Sequence, residues 1–425
     1  MRRSAILLTV AALALRVLFV ILEPPARLVG DEHTWTGWTL ELLSAEVRFD
    51  PAASRILFYP PLYPYFLASL YGLFGSWTAV KLGQAILGAL LVPAVMRVTA
   101  RALGQRAGIV AAVIAAMYPD LVWFSAHFWS ETLFLVLLWW GFERLLAAHA
   151  SGARVDALAA GLLFGLAILT RETALYFVPI AALWLLGRPA RPRLAAAFAL
   201  AATLVVLPWT GRNWVVWSAF VPVSTAGGLN LWQGNARLTR EQVYAKYAQI
   251  PGRVAKYRYA RQKGIEAIRE RQPGWLFEKL RAEMPRFWEA DSLALAHIDR
   301  EAYGPAPPRL RHFAGFVFVA PYLALLLPFA LGVAAAPLGR STGLLLGFLA
   351  YYNLLHLVTH GFARYRLPIM PVVFAFAAFA LVEARWRGLP ARRLAVAALL
   401  AGALALSVAP SLREALPGEE TAPMS

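Results

Sequence analysis

Two adjacent carboxylates, Asp31 and Glu32, stand in the stretch RLVGDEHTWTGWTLELL, directly after an apolar run. A carboxylate at a membrane boundary acts as a general base when a proton lies within hydrogen-bond reach. Two neighbouring acids also divide roles, because like charges push one of the two pKa values upward. An acid pair alone is equally the solvated end of a helix. Three further clusters bear on the choice. TRET (170–173) places Arg171 between two apolar runs with almost no loop. A guanidinium there either snorkels to the interface or grips a phosphate in bidentate fashion. HGFARYRLPIMP (360–371) gathers His360, Arg364, Tyr365 and Arg366 ahead of another apolar run, a composition suited to an anionic ligand. SAHFWSE (125–131) sets His127 and Glu131 four residues apart, on one helical face. Two ligands do not make a metal site, so these are expected to line a cavity.

The elements that position these groups are membrane helices. The chain of 425 residues is 60% hydrophobic and only 15% charged, with mean hydropathy +0.57 and 15 tryptophans. Soluble proteins are about half apolar and a quarter charged. No cysteine is present, which excludes disulfides, thiolate catalysis and Cys-ligated metals. The net charge of +17 does not form one basic face; the arginines fall in short tracts between apolar runs, so no nucleic-acid partner is expected. Apolar runs lie near 5–22, 59–75, 77–96, 107–123, 131–148, 156–170, 173–187, 194–209, 313–335, 342–359, 367–384 and 394–409. The first is read as an uncleaved helix. The fold class is therefore an all-α polytopic membrane protein of about 11–12 apolar helices, with interfacial helices in the outer loops.

Basic tracts set the orientation. Arg2/Arg3, Arg97/Arg101/Arg106, Arg188/Arg191/Arg193, Arg340 and Arg385/Arg387/Arg392/Arg393 belong on the cytoplasmic side. Three runs separate the first two tracts, which is the wrong parity. The proline-rich run YPPLYPYFLASLYGLFG (59–75) is therefore expected not to cross fully. Segments 30–58, 119–131, 170–172, 210–312 and 360–366 then share the opposite side. Arg364 and Arg366 break the charge rule there, and an anionic ligand supplies the reason. The division expected is an N-terminal catalytic core over 1–209, including a first outer loop at 23–58, then a large outer loop over 210–312 and C-terminal membrane helices with a short tail over 313–425. Residues 34–49 read as an interfacial helix with Trp35, Trp38, Leu42, Ala45 and Phe49 on one stripe. Residues 273–291 read as another, with Trp275, Leu276, Leu280 and Trp288 apolar. No GxxxxGK[ST] and no GxGxxG after a strand occurs, so no nucleotide is expected.

GDEHTW (30–35), YPPLYPYFLASLYGLFG (59–75), TRETALYFVP (170–179), LPWTGRNWVVWSAFVPVSTAGGLNLWQGN (207–235) and RYRLPIMP (364–371) together resemble the lipid-phosphate-sugar-dependent glycosyltransferases of the GT-C fold. The similarity is to family-39-type bacterial enzymes, related to protein O-mannosyltransferases and to the aminoarabinose transferase that modifies lipid A. That resemblance implies an inverting transfer from a polyprenyl-phosphate sugar to a lipid, glycan or protein acceptor, in a bacterial inner (cytoplasmic) membrane, on the periplasmic or exterior face. It implies Asp31 as base, with Glu32 orienting it or binding sugar hydroxyls. Arg364 and Arg366, then Arg171, would hold the donor phosphate. Tyr63, His127, Glu131, Glu172, Trp232, Gln233, Asn235 and Tyr365 would line the substrate cavity. No metal ligand and no definite cofactor is assigned; a divalent metal stays open. Trp35 stands where the family usually has Tyr, and Tyr59 where the aminoarabinose enzymes have a lysine before Pro-Pro. Glu172 follows Arg171 without the usual intervening proline, and no MIR-type domain interrupts the outer loop.

Two other readings compete. A transporter or flippase for a lipid-linked or anionic substrate would use the outer arginines without a base. A scaffold for an envelope complex would use the interfacial helices as docking surfaces.

Overall fold

The computed structural model describes residues 2–44, 58–187, 191–384 and 389–415. Every regular element among the described residues is helical. Eight helices are long and apolar enough to cross a bilayer: Arg2–Leu22, Trp77–Leu103, Glu131–Ser151, Pro192–Trp217, Pro308–Ala335, Arg340–Val358, Ala363–Val382 and Ala391–Ser411. Leu62–Phe74, Gln105–Met117 and Glu172–Leu186 are shorter apolar helices, and Arg154–Thr170 completes the set. Each expected apolar run thus falls on a helix, and the chain is an all-α integral membrane protein.

Helix association in lipid relies on close backbone approach and on buried polar contacts. Gly161 and Gly165, four apart on Arg154–Thr170, show the first device. A side chain at Gly161 would strike the Phe198 carbonyl and Ala201 of Pro192–Trp217, and one at Gly165 would strike Val205 and the Ala202 carbonyl. Arg16 shows the second: fully buried in the first helix, it donates to the carbonyls of Ala115 and Ala116 at the end of Gln105–Met117.

The described basic tracts gather at one end of the helix array. Arg101 pairs with Glu143 at 3.2 Å, and the Arg106 amide donates to Glu383. The Arg191 guanidinium lies against Gly152, and that of Arg340 against Gly187. Arg393 donates to the carbonyls of Ala335 and Ala336. Arg188, Arg385 and Arg387 lie outside the described residues. The opposite end carries the loops around residues 31, 130, 171, 225, 291 and 360, all lining one cavity.

The run at 59–75 forms one of the shorter apolar helices. Leu62–Phe74 has 13 residues, about 20 Å of helix against about 30 Å of hydrocarbon. Tyr63 near its start donates to Gln84, and Leu70 seven residues later lies against Gly83. Two positions a full two turns apart meet neighbouring residues of Trp77–Leu103, so this helix crosses its neighbour steeply instead of running alongside it.

Both expected interfacial helices form, with faces different from the sequence reading. In Asp31–Leu43, Trp35 and Trp38 are buried against Tyr59 and Tyr63 at ring distances of 5.0–5.5 Å, so the aromatic stripe meets protein instead of lipid. The expected continuation through Ala45 and Phe49 lies outside the described residues. In Trp275–Trp288 the charged residues Lys279 and Glu283 face inward, while Leu276, Phe277 and Leu280 are exposed. The Lys279 ammonium donates to the carbonyls of Gly234 and Thr359, both at 2.7 Å, which clamps the outer loop to the 359–361 turn.

Candidate active site

The loop end opens into a cavity of about 910 Å³. Its wall includes Asp31 from the first outer loop and Trp129, Ser130 and Glu131 from the second. Arg171 and Glu172 come from the third, and the 222–233, 289–300 and 359–365 segments complete it. The position of Asp31 follows from the turn before it. Gly30 adopts φ 62, ψ −125, a conformation essentially reserved for glycine, and releases the chain into Asp31–Leu43. Asp31 and Glu32 occupy the first helical turn, where unpaired backbone N–H groups favour negative charge.

The two acids then part. Asp31 turns to the cavity, its Oδ2 3.3 Å from Nη1 of Arg364. Glu32 turns inward, 2% exposed, and accepts from the amides of Val29 and Phe128 and from Nε2 of His297. Burial would raise its carboxyl pKa, but the His297 bond, the neighbouring His127 and the Val29 amide outweigh that, so it lies below the ordinary value.

Glu131 organises the arginines. At the start of Glu131–Ser151 it is 1% exposed, and its Oε1 accepts from Nη1 of Arg171 at 2.8 Å, with Nε of Arg364 at 3.8 Å. Its Oε2 is buried with no partner in the structure. Arg171 caps Arg154–Thr170 in extended conformation and also reaches Ser130. The Arg364 guanidinium stands over the rings of Trp129 at 4.6 Å and Tyr365 at 5.1 Å. The result is a carboxylate and two oriented guanidiniums around one space, chemistry suited to a proton acceptor beside an anion.

Of the other expected cavity residues, Glu172, Gln233 and Tyr365 line the space. Glu172 accepts from Ser224 at 2.6 Å. Six expectations need correction, that for Glu32 in one of its two roles. Arg366 does not reach the cavity: it donates to the carbonyls of Phe287, Glu289 and Asp291 and lies 3.9 Å over the Tyr322 ring. Tyr63 is fully buried and bonded to Gln84. His127 points to Tyr303 and Glu23, each at 2.9 Å. Trp232 packs within the outer loop beside Leu229 and Val243. Asn235 bonds to the carbonyls of Leu231 and Val358 and to Trp275. Glu32 likewise has no access to a sugar; of its two expected roles only orientation fits.

Sequence reasoning passed over Trp129, Tyr59, Arg240, Arg261 and Arg300, all on the cavity wall. The three arginines have no acidic partner within ion-pair distance among the described residues. His297 had no local signal, since its partner lies 265 positions away. No group of three His, Asp or Glu side chains converges to hold a metal ion among the described residues.

A family model described as dolichyl-phosphate-mannose-protein mannosyltransferase matches residues 59–216. No curated protein matches the chain. A crystal structure of the Archaeoglobus fulgidus oligosaccharyltransferase, in complex with Zn and sulfate, superposes with a TM-score of 0.54 at 16% identity, covering 96% of this chain and 51% of that one. A crystal structure of ArnT from Cupriavidus metallidurans, bound to undecaprenyl phosphate, gives 0.53 at 16% identity, covering 93% and 63%. The chain thus spans between half and two thirds of the length of these structures. It has the GT-C fold of membrane glycosyltransferases and resembles the protein O-mannosyltransferases and ArnT.

Proposed function

We propose that this protein moves a sugar from a polyprenyl phosphate to an acceptor hydroxyl in one inverting displacement. The observation that carries the reading is the meeting of Asp31, Arg364 and Arg171 around Glu131 at one cavity. The ArnT structure it resembles holds undecaprenyl phosphate, which supports the donor class. The donor phosphate takes Arg364 and Arg171, replacing Asp31 on the Arg364 guanidinium. The freed carboxylate accepts the proton of the acceptor hydroxyl. The hydroxyl oxygen bonds to the anomeric carbon as the bond from that carbon to the phosphate oxygen breaks. The electron pair goes to the leaving lipid phosphate, whose growing charge the two arginines stabilise. Lipid, glycan and protein acceptors all carry the required hydroxyl.

The cavity lies at the end opposite the basic tracts. By the positive-inside rule it faces the periplasm or cell exterior, with the protein in a bacterial inner membrane. The test is transfer by the purified protein from polyprenyl-phosphate sugars to extracted envelope glycolipids. Release of polyprenyl phosphate with sugar on the acceptor is expected, together with loss of one envelope glycolipid when the gene is deleted. Translocation of intact donor across vesicles, without release of lipid phosphate, would replace this reading by the transporter.

A further inference from the structure

The segment Ser292–Tyr303 crosses the site as a strap fastened at three points. At its start the Ser292 hydroxyl donates to Asp120 at 2.5 Å. In its middle His297, fully buried, faces Oε2 of Glu32 through Nε2 at 3.1 Å and the Leu293 carbonyl through Nδ1 at 3.0 Å. At its end the Tyr303 hydroxyl donates to Glu23, takes a bond from the Trp123 indole at 3.1 Å and lies 2.9 Å from His127. The Ala302 carbonyl accepts from the Arg27 amide at 2.7 Å. The opposite face of the strap, Leu293, Ala296 and Arg300, forms cavity wall, and Arg300 reaches Gly30, the residue before Asp31.

Glu32 therefore joins three segments through two carboxylate oxygens, while the residue before it faces the cavity. We infer that His297 is a positioning residue, which acts through Glu32 to hold Asp31 and the strap wall in transfer geometry. This rests on the reading of Asp31 as base. Arg171 and Arg364 belong to other elements and both face Glu131, at 2.8 and 3.8 Å, an arrangement that does not pass through the strap.

Removing the latch misplaces the base and leaves the donor arginines in place. His297→Ala is expected to lower kcat roughly 10- to 100-fold, since a misplacement of about 1 Å costs that much. Affinity for polyprenyl phosphate is expected to stay within about threefold of wild type. His297→Gln, which keeps a donor toward Glu32, should recover most of the turnover. The chain has no cysteine, so Arg27→Cys with Ala302→Cys adds a single thiol pair across the strap's end. In the His297→Ala background, closing that disulfide should restore kcat and reducing it should abolish the gain. Unchanged kcat in His297→Ala, a parallel loss of donor affinity, or no rescue by the disulfide would overturn the proposal. Hydrogen exchange provides a readout independent of any reaction. Faster exchange at 293–303 and at 30–35 in His297→Ala, or in Tyr303→Phe should that variant not fold, supports the latch. Unchanged exchange refutes it even where the donor proves to be another class of molecule.

Discussion

Asp31→Asn separates catalysis from folding because its two costs differ in scale. The substitution keeps the side-chain shape and removes one charge from a helix N-terminus and from the 3.3 Å pair with Arg364, whose side chains are 34% and 20% exposed. The helix-end term is worth about 0.3–1 kcal/mol, and a pair that open to water about 0.2–1 kcal/mol. The loss of stability is therefore at most about 2 kcal/mol, within the margin of a protein stable by about 5–15 kcal/mol. Loss of a general base instead lowers turnover roughly 10²- to 10⁴-fold, or about 2.7–5.5 kcal/mol of barrier. The pairing gives a second expectation of opposite sign. With Asp31 neutralised, Arg364 loses its competitor for phosphate, so polyprenyl phosphate binds as well as to wild type or up to about fivefold tighter. The assay is single-turnover transfer beside equilibrium binding of the lipid phosphate, with folding checked by thermal unfolding in detergent. Turnover within tenfold of wild type, or donor binding that falls in step with rate, would refute both the base and the exchange of partners at Arg364.

Arg364→Ala removes charge-assisted bonds worth about 1.5–3 kcal/mol, so lipid-phosphate affinity should fall roughly 10- to 150-fold with little change in melting temperature. Arg366→Ala should do the reverse, because it strands the carbonyls of Glu289 and Asp291 at a cost of about 1–3 kcal/mol each while removing no guanidinium from the cavity; equal behaviour of the two variants in paired binding and melting assays would contradict the geometry. Gly30→Ala forces a side chain into φ 62, ψ −125 and should cost about 1–3 kcal/mol of stability as well as turnover; a melting curve unchanged from wild type would show that the turn relaxes freely. Glu32 binds fewer protons latched than released, because its pKa in the fold is below the ordinary 4.5. The latch is thus fully closed above that value and opens as pH falls through the lower, folded one. Exchange at 293–303 should therefore rise on acidification below about pH 4.5 in wild type but lose that step in Glu32→Gln, and a step of equal size in both would assign the transition to Glu23 or another acid. A single cysteine placed at Gln105, exposed at the basic end, should react with impermeant reagents only from the cytoplasm.

Adjacent and near-adjacent residues decided how far the sequence could be read. The helical runs and the stacking of loops at one end were legible because basic tracts and apolar runs obey separate, long-range rules. The charge rule marked Arg364 and Arg366 as out of place, and of these Arg364 lines the cavity; Arg171, set between two apolar runs, and Glu131, four residues after His127, line it too. Direction was not legible. Asp31 and Glu32 are neighbours on an α-helix, where successive side chains diverge by about 100°. One faces the cavity, and the other must face what lies behind it. Arg364 and Arg366 sit on the 3₁₀ turn Ala363–Ile369, where three residues complete a turn and residues two apart diverge by about 120°. Both cannot meet one ligand, and the rigid turn assigns Arg366 to the carbonyls behind it. The partner that explains Glu32 lies 265 residues away, so no local pattern could have supplied it. The two doublets share one logic: in each, one member faces the reaction space and the other anchors the turn that holds it there. A motif of paired charges on a tight turn is therefore better read as one working group and one fastening than as two working groups.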